Sequence, residues 1–246
     1  MSSKYNFNGK VALVTGSSSG IGAAVAIQLA KYGAQVAITG RDAVALSKVA
    51  DQVAAVAKRG ERPLEIVADL LDNSTPKKLI EETVAKFGKL DVLVNNAGGS
   101  SPNGGLSSPT LLSEFDTVFK LNVRSVVELT QLAVPYLEKT TGNVVNISSA
   151  LSMRPRRLVY CSSKAALDMV TKTAALELGP KQIRVNSVNP GLVETQFARS
   201  AGLDAEGRKK FYNEYTEKSL MKRIGHVDDI ANLVSFVASD DARNIT

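Results

Sequence analysis

Short apolar runs rich in β-branched residues alternate along this chain with longer segments whose apolar positions recur every three or four residues. The runs 11–15, 35–39, 64–67, 92–95, 143–147 and 184–189 have strand length, whereas 21–32, 43–58, 77–87, 115–137 and 160–178 carry helical spacing. The third of these helices is introduced by the start signal Ser74-Thr75-Pro76. Regular β-α alternation predicts an α/β fold with a doubly wound parallel sheet in three layers. Parallel strands need crossover helices, and right-handed crossovers cover both faces. No linker interrupts the pattern, so residues 1–246 are expected to form a single domain. Two stretches break the alternation, about 98–110 and 194–223. Both follow strand ends of the kind where open α/β sheets bind ligands, and both are expected to be substrate loops.

Composition narrows the class. With 246 residues and 44% hydrophobic content, the chain can bury a full core and is not disordered. A single cysteine, Cys161, excludes an internal disulfide, and with the single histidine, His226, it cannot build a structural zinc site, so no metal is expected. The formal charge is +6, but the basic residues are spread out, apart from Arg154, Arg156 and Arg157 and the run Arg208-Lys209-Lys210. Aromatic-basic repeats are missing, and nucleic acid is not an expected partner. No run of eighteen apolar residues predicts a membrane span. The first residues lack the apolar core of a signal peptide, which makes the cytoplasm the expected compartment.

Strand one is followed by Thr15-Gly16-Ser17-Ser18-Ser19-Gly20-Ile21-Gly22 and then a helix start. Glycines there let the backbone approach a pyrophosphate while the unpaired amides of the helix face its charge, so the unit reads as a Rossmann-like nucleotide site. Three residues separate the first two glycines, in place of the one of the usual dinucleotide fingerprint. Strand two ends Thr39-Gly40-Arg41-Asp42, where such folds meet the adenosine ribose. Gly40 leaves room and Arg41 offers a fork that matches a 2′-phosphate, favouring NADP(H) over NAD(H). In the alternative, Arg41 is a solvated turn residue and Asp42 holds the ribose or caps the next helix.

Beyond strand five lie Asn146-Ile147-Ser148-Ser149 and, after a short loop, Tyr160-Cys161-Ser162-Ser163-Lys164. Four residues apart on a helix, Tyr160 and Lys164 share a face, and a nearby ammonium charge would favour the phenolate of a tyrosine whose ordinary pKa is about 10. With the glycine turn, Asp69, Asn95-Asn96-Ala97-Gly98, Asn122 and Asn189-Pro190-Gly191-Leu192-Val193-Glu194-Thr195, the chain resembles a short-chain dehydrogenase/reductase from residue 7 to its end. The resemblance implies a catalytic set of Asn122, Ser149, Tyr160 and Lys164. Tyr160 would exchange a proton with the substrate oxygen, and Lys164 would hold the nicotinamide ribose and lower the tyrosine pKa. Ser149 would bond the carbonyl oxygen, and Asn122 would hold a water in a proton path. It also implies cofactor contacts from Gly16, Ser18, Ser19, Gly20, Ile21, Gly22, Arg41, Asp69, Asn96, Tyr160, Lys164, Pro190, Gly191, Val193 and Thr195. Asp69 and Asn96 read equally as turn residues.

Two departures stand out. The interval from Ser149 to Tyr160 is two residues shorter than the family pattern, which leaves Ser148 and Ser152 as alternatives to Ser149. Family members usually continue past the position of Thr246 into one more strand, so an open sheet edge is expected. The expected function is an NADP(H)-dependent oxidoreductase acting on a small carbonyl or alcohol substrate; the alternative is a silent nucleotide-binding sensor or scaffold. Arg154, Arg156 and Arg157 suit an acidic or carrier-bound substrate, or are solvated. Residues 197–221 read as a lid or as a surface helix. His226 reads as structural and Cys161 as a packed thiol. Val126, Val127, Leu167, Val170 and Leu176 exceed what one buried face needs, suggesting a homodimer or homotetramer, the dimer more than the tetramer.

Overall fold

The computed structural model describes residues 4–58, 60–101, 105–195 and 204–246. Its strands are β1 Val11–Val14, β2 Gln35–Gly40, β3 Leu64–Val67, β4 Val92–Asn95, β5 Asn143–Ile147 and β6 Arg184–Val188. Each falls on a predicted run, with boundaries shifted by at most one residue. All pairings are parallel in the order β3-β2-β1-β4-β5-β6. The order reverses at β1, which has β2 on one side and β4 on the other. The loops leaving β1 and β4 therefore diverge to opposite faces and open a crevice between them.

Helices α1 Gly20–Lys31, α2 Ala43–Val56 and α8 Val227–Ala238 cover one face. Helices α3 Thr75–Phe87 and α5 Ser125–Thr140 and the end of α6 Leu158–Leu178 cover the other. Strand side chains alternate between the two layers: Ala12 and Val14 pack with Val25, Leu29, Leu46 and Val234. Val11 and Leu13 pack with Leu79, Leu129 and Leu137. Every residue of β1, β4 and β5 is buried, the consequence of a sheet covered on both sides. Each such leucine contributes roughly 1.5–3 kcal/mol by leaving water.

The predicted helix 115–137 is longer and is interrupted. It comprises α4 Leu111–Phe119, a π-helical turn Lys120–Arg124 and α5, with Pro135 inside the last. Helix α7, Ala205–Lys218, occupies part of the second irregular stretch. Along the outer edge of β6, Thr246 Oγ1 accepts from Val185 N at 3.0 Å and Ile245 O accepts from Asn186 Nδ2 at 2.8 Å. That edge is thus partly bonded where an open one was expected.

Candidate active site

The turn after β1 is tied to the turn after β4. Thr15 Oγ1 accepts from the backbone amides of Asn96 and Ala97, each at 3.0 Å, and Asn96 Nδ2 donates to the carbonyls of Thr15 and Gly16, each at 2.9 Å. Asn96 thereby holds the two turns together. Gly16 has φ +62, and a Cβ there would stand 2.8 Å from Ala97 Cα, so both conformation and space demand glycine. At Gly22 an added Cβ would lie 2.4 Å from Asn96 Nδ2.

Ser19 caps α1 in extended conformation without bonding its amides through the side chain, which leaves the donors of the first turn for an outside acceptor. Residues Gly16, Ser18, Ser19, Gly20, Ile21 and Gly22 therefore form a cradle that fits a dinucleotide pyrophosphate. At the end of β2, a Cβ on Gly40 would meet Ser18 Oγ at 2.7 Å. Arg41 is exposed beside it, while Asp42 is engaged as the N-cap of α2, accepting from Ala45 N at 3.0 Å. Asp69 accepts from Leu71 N at 3.0 Å and so forms an Asx turn. Across the crevice, Pro190 O accepts from Ala150 N at 2.9 Å, Val193 bridges to Gly225, Gly191 is exposed and Thr195 lies against Gly20.

Helix α6 starts at Leu158, and its first two turns carry Tyr160 and Lys164 inward. Tyr160 is 8% exposed and lies near Ser149 at the mouth of β5; the Ser149 hydroxyl accepts from Leu151 N at 3.1 Å. The other serines are turned elsewhere: Ser148 Oγ donates to Lys164 O at 3.3 Å, and Ser152 Oγ accepts weakly from Asn189 at 3.5 Å. Burial raises the Tyr160 pKa above its ordinary value; Ser149 opposes this, Cys161 adds to the rise, and Arg157 opposes it as a nearby positive charge. Lys164, expected to lower this pKa, is not among the groups that shift it. Lys164 Nζ donates to Ile147 O at 2.8 Å and lies 5.9 Å from the Tyr160 ring centre. Its own pKa is lowered from 10.5 to about 8 by burial, with Asp168 acting against the fall.

Asn122 is fully buried in the π turn, and its side chain bonds to groups outside its own helix. Its Nδ2 donates to Gly99 O at 2.9 Å and Ser163 Oγ at 3.0 Å, while Oδ1 accepts from Gly99 N at 2.9 Å. Gly98 is squeezed between groups of the same set, since an added Cβ would stand 3.2 Å from Asn122 Oδ1 and 3.4 Å from Lys164 Nζ.

Sequence reasoning missed Asp168. One turn beyond Lys164, its carboxylate accepts from Asn189 Nδ2 at 3.1 and 2.9 Å, and the same amide reaches Ser149 O at 3.4 Å. The ladder Tyr160, Lys164, Asp168 at four-residue spacing was the available signal.

The arginine cluster separates. Arg154 is exposed; Arg156 stacks on the Tyr215 ring at 5.3 Å and bonds its hydroxyl; Arg157 donates to Ser100 Oγ at 3.3 Å. Of the expected lid, residues 196–203, Phe197 among them, lie outside the described residues, as do 102–104 of the first loop and the side chain of Phe211. Within the described part, Tyr212 donates to Thr195 O at 3.0 Å. His226 closes a capping box on α8, the structural role expected, and Cys161 is buried. Val126 and Leu167 belong to the core of their own chain, which corrects their assignment to a subunit contact. Val127 at 44% and Leu176 at 82% exposure keep that potential, and Val170 is half-buried.

A family model described as enoyl-(acyl carrier protein) reductase matches residues 16–246. The chain is 36% identical to the L-xylulose reductase of Caenorhabditis elegans over 250 residues, spanning 100% of this chain and 95% of that protein. It is 37% identical to tropinone reductase-like 3 of Erythroxylum coca over 242 residues, spanning 98% and 90% respectively. A short-chain dehydrogenase/reductase of unknown function from Caenorhabditis elegans, solved with cofactor, superposes with a TM-score of 0.91 at 35% identity, covering 98% of this chain and 92% of that one. The chain belongs to the short-chain dehydrogenase/reductase family. As a short-chain dehydrogenase/reductase it is an oxidoreductase of a family that uses a nicotinamide cofactor. Among its described residues no helix is long and apolar enough to cross a membrane.

Proposed function

We propose that this short-chain dehydrogenase/reductase is an NADP(H)-dependent carbonyl reductase or alcohol dehydrogenase in which Tyr160 is the general acid and base. The observation that carries this reading is the convergence of Ser149, Tyr160 and Lys164, all buried, at the head of the crevice that the glycine turn opens. Bound nicotinamide supplies the hydride in reduction and takes it in oxidation. Tyr160 gives its phenolic proton to the substrate oxygen in the first direction and takes it back in the second. Ser149 donates to that oxygen as negative charge grows on it, in a pocket where little water competes. Lys164 is one helical turn behind, placed to hold the ribose hydroxyls and return a proton to Tyr160. Asn122 fixes the loop of Gly98 and Gly99 against them.

The preference for NADP(H) rests on Arg41 standing exposed beside Gly40 and Ser18 while Asp42 is engaged at its helix cap. The relatives' names, an L-xylulose reductase and a tropinone reductase-like protein, accord with a ketone-alcohol couple. A silent sensor would have no use for the buried lysine and phenol. We further propose a homo-oligomer, most simply a dimer, built on α5 and α6 where Val127, Met169 and Leu176 are exposed. The test of function is a panel of ketones and alcohols followed by NADPH absorbance, with NADH alongside. Turnover of at least one ketone, faster with NADPH, is expected; a protein that binds cofactor and turns over nothing overturns the reading.

A further inference from the structure

Arg157 is the N-cap residue of α6, three positions before Tyr160, and only partly exposed. Its guanidinium reaches from the β5-α6 side of the crevice to the β4 side, where it donates to Ser100 Oγ. Ser100 directly follows Gly99, the residue gripped by Asn122, so Arg157 spans the entrance above the Ser149-Tyr160 pair. Charge balance there is uneven. Among the described residues, Arg62 is paired with Asp51 and Glu65, Arg184 donates to backbone carbonyls, and Arg156 lies on Tyr215. Arg157 has one neutral hydroxyl and no carboxylate within ion-pair distance among the described residues. The segments outside them contain no Asp or Glu to supply one. A half-desolvated cation that retains unused donors favours an anion that can take them, and a carboxylate matches the planar fork.

We propose that Arg157 is the anchor for an anionic group of the substrate, and that the substrate class is an oxo acid or the corresponding hydroxy acid. The inference rests on the reading of Tyr160 and Ser149 as the carbonyl site. Carboxylate and carbonyl would be held at the two ends of one short crevice. The bidentate contact would orient the carbonyl toward the phenol. Arg154, exposed nearby in the same loop, adds positive charge that draws anions toward the mouth.

The test uses 2-oxo, 3-oxo and 4-oxo carboxylic acids of equal carbon number and their methyl esters, with the full chain and its Arg157→Gln variant. In the unmodified protein, kcat/KM for at least one acid should exceed that of its ester by about tenfold or more. Arg157→Gln should remove that preference, lowering kcat/KM for the acid about tenfold more than for its ester, and Arg157→Lys should restore part of it. Equal losses on acid and ester would show that Arg157 acts through Tyr160, overturning the proposal, as would a preference for every ester. Calorimetric binding of the same acids and esters to the NADP⁺ complex gives a reading without turnover. There too, the acid must bind more tightly than its ester, and only while Arg157 is present; equal binding overturns it. Turnover of esters alone sinks this inference and leaves the carbonyl reductase standing, whereas loss of all turnover with acid binding intact does the reverse.

Discussion

Asn122 grips Gly99 from both sides, donating to its carbonyl and accepting from its amide at 2.9 Å each. The pair copies the two bonds a neighbouring strand would make, and so extends order from the helix layer into the loop beyond β4. The π turn makes this possible, because one residue added to the helical repeat rotates Asn122 out of the regular hydrogen-bonded ladder and toward the crevice.

Asn122→Ala removes three hydrogen bonds from a fully buried position and leaves the Gly99 backbone and the Ser163 hydroxyl short of partners. A loss of about 2–4 kcal/mol in urea unfolding is expected, with a fall in kcat larger than the rise in KM. Unchanged stability would mean that the loop has another anchor.

Tyr160→Phe deletes one hydroxyl and keeps the ring, so turnover should vanish while NADPH affinity stays close to that of the parent. Because burial raises the Tyr160 pKa, the free protein should hold a neutral phenol through pH 9. Phenolate absorbance, measured as parent minus Tyr160→Phe, should rise only above pH 10. A phenolate formed below pH 8 without cofactor would contradict the arrangement.

Lys164 has a native pKa lowered from 10.5 to about 8. Below pH 8 both native and unfolded chains carry the charge, and burying it destabilises the fold by about 3 kcal/mol relative to the neutral form. Between pH 8 and 10.5 the native protein releases this proton while the unfolded chain retains it, so the lysine's contribution to stability rises with pH. The stability of Lys164→Met measured against the parent should therefore fall by about that amount from pH 7 to pH 10.5. Parallel pH profiles for the two proteins would refute the shift.

Arg41→Ala should weaken NADPH by about 1.5–3 kcal/mol and leave NADH nearly unchanged, read as kcat/KM for each cofactor. Gly40→Asp should reverse the preference by opposing a 2′-phosphate, although Ser18 must shift to admit it. Equal or better use of NADH by the parent would end the NADP(H) proposal.

Light scattering at micromolar concentration should give twice or four times 26.1 kDa. Leu176→Glu, at a position 82% exposed in the single chain, should then shift the mass toward the monomer without loss of fold. A parent protein that runs as a monomer would refute the assembly.

Strand runs, helical spacing and the glycine turn were legible in the linear chain because each is a local property. Two-residue and four-residue periodicities, and a backbone that needs glycine at Gly16, are written within a few neighbouring residues. Alternation with crossovers then leaves few topologies open, and the observed parallel sheet is one of these. Tertiary structure alone decided what depended on direction in space. Three serines near the end of β5 are chemically alike, and only the path of the loop turns Ser149 toward Tyr160. The π turn leaves no mark on residue type, since one inserted residue barely disturbs an amphipathic stripe. Lys164 could be placed on the face of Tyr160 from spacing, but its bond to Ile147 O comes from a strand seventeen residues away. Neighbouring arginines in one loop are equivalent on paper. The fold divides them between a helix, the solvent and the mouth of the crevice, because backbone direction separates side chains that sequence places together.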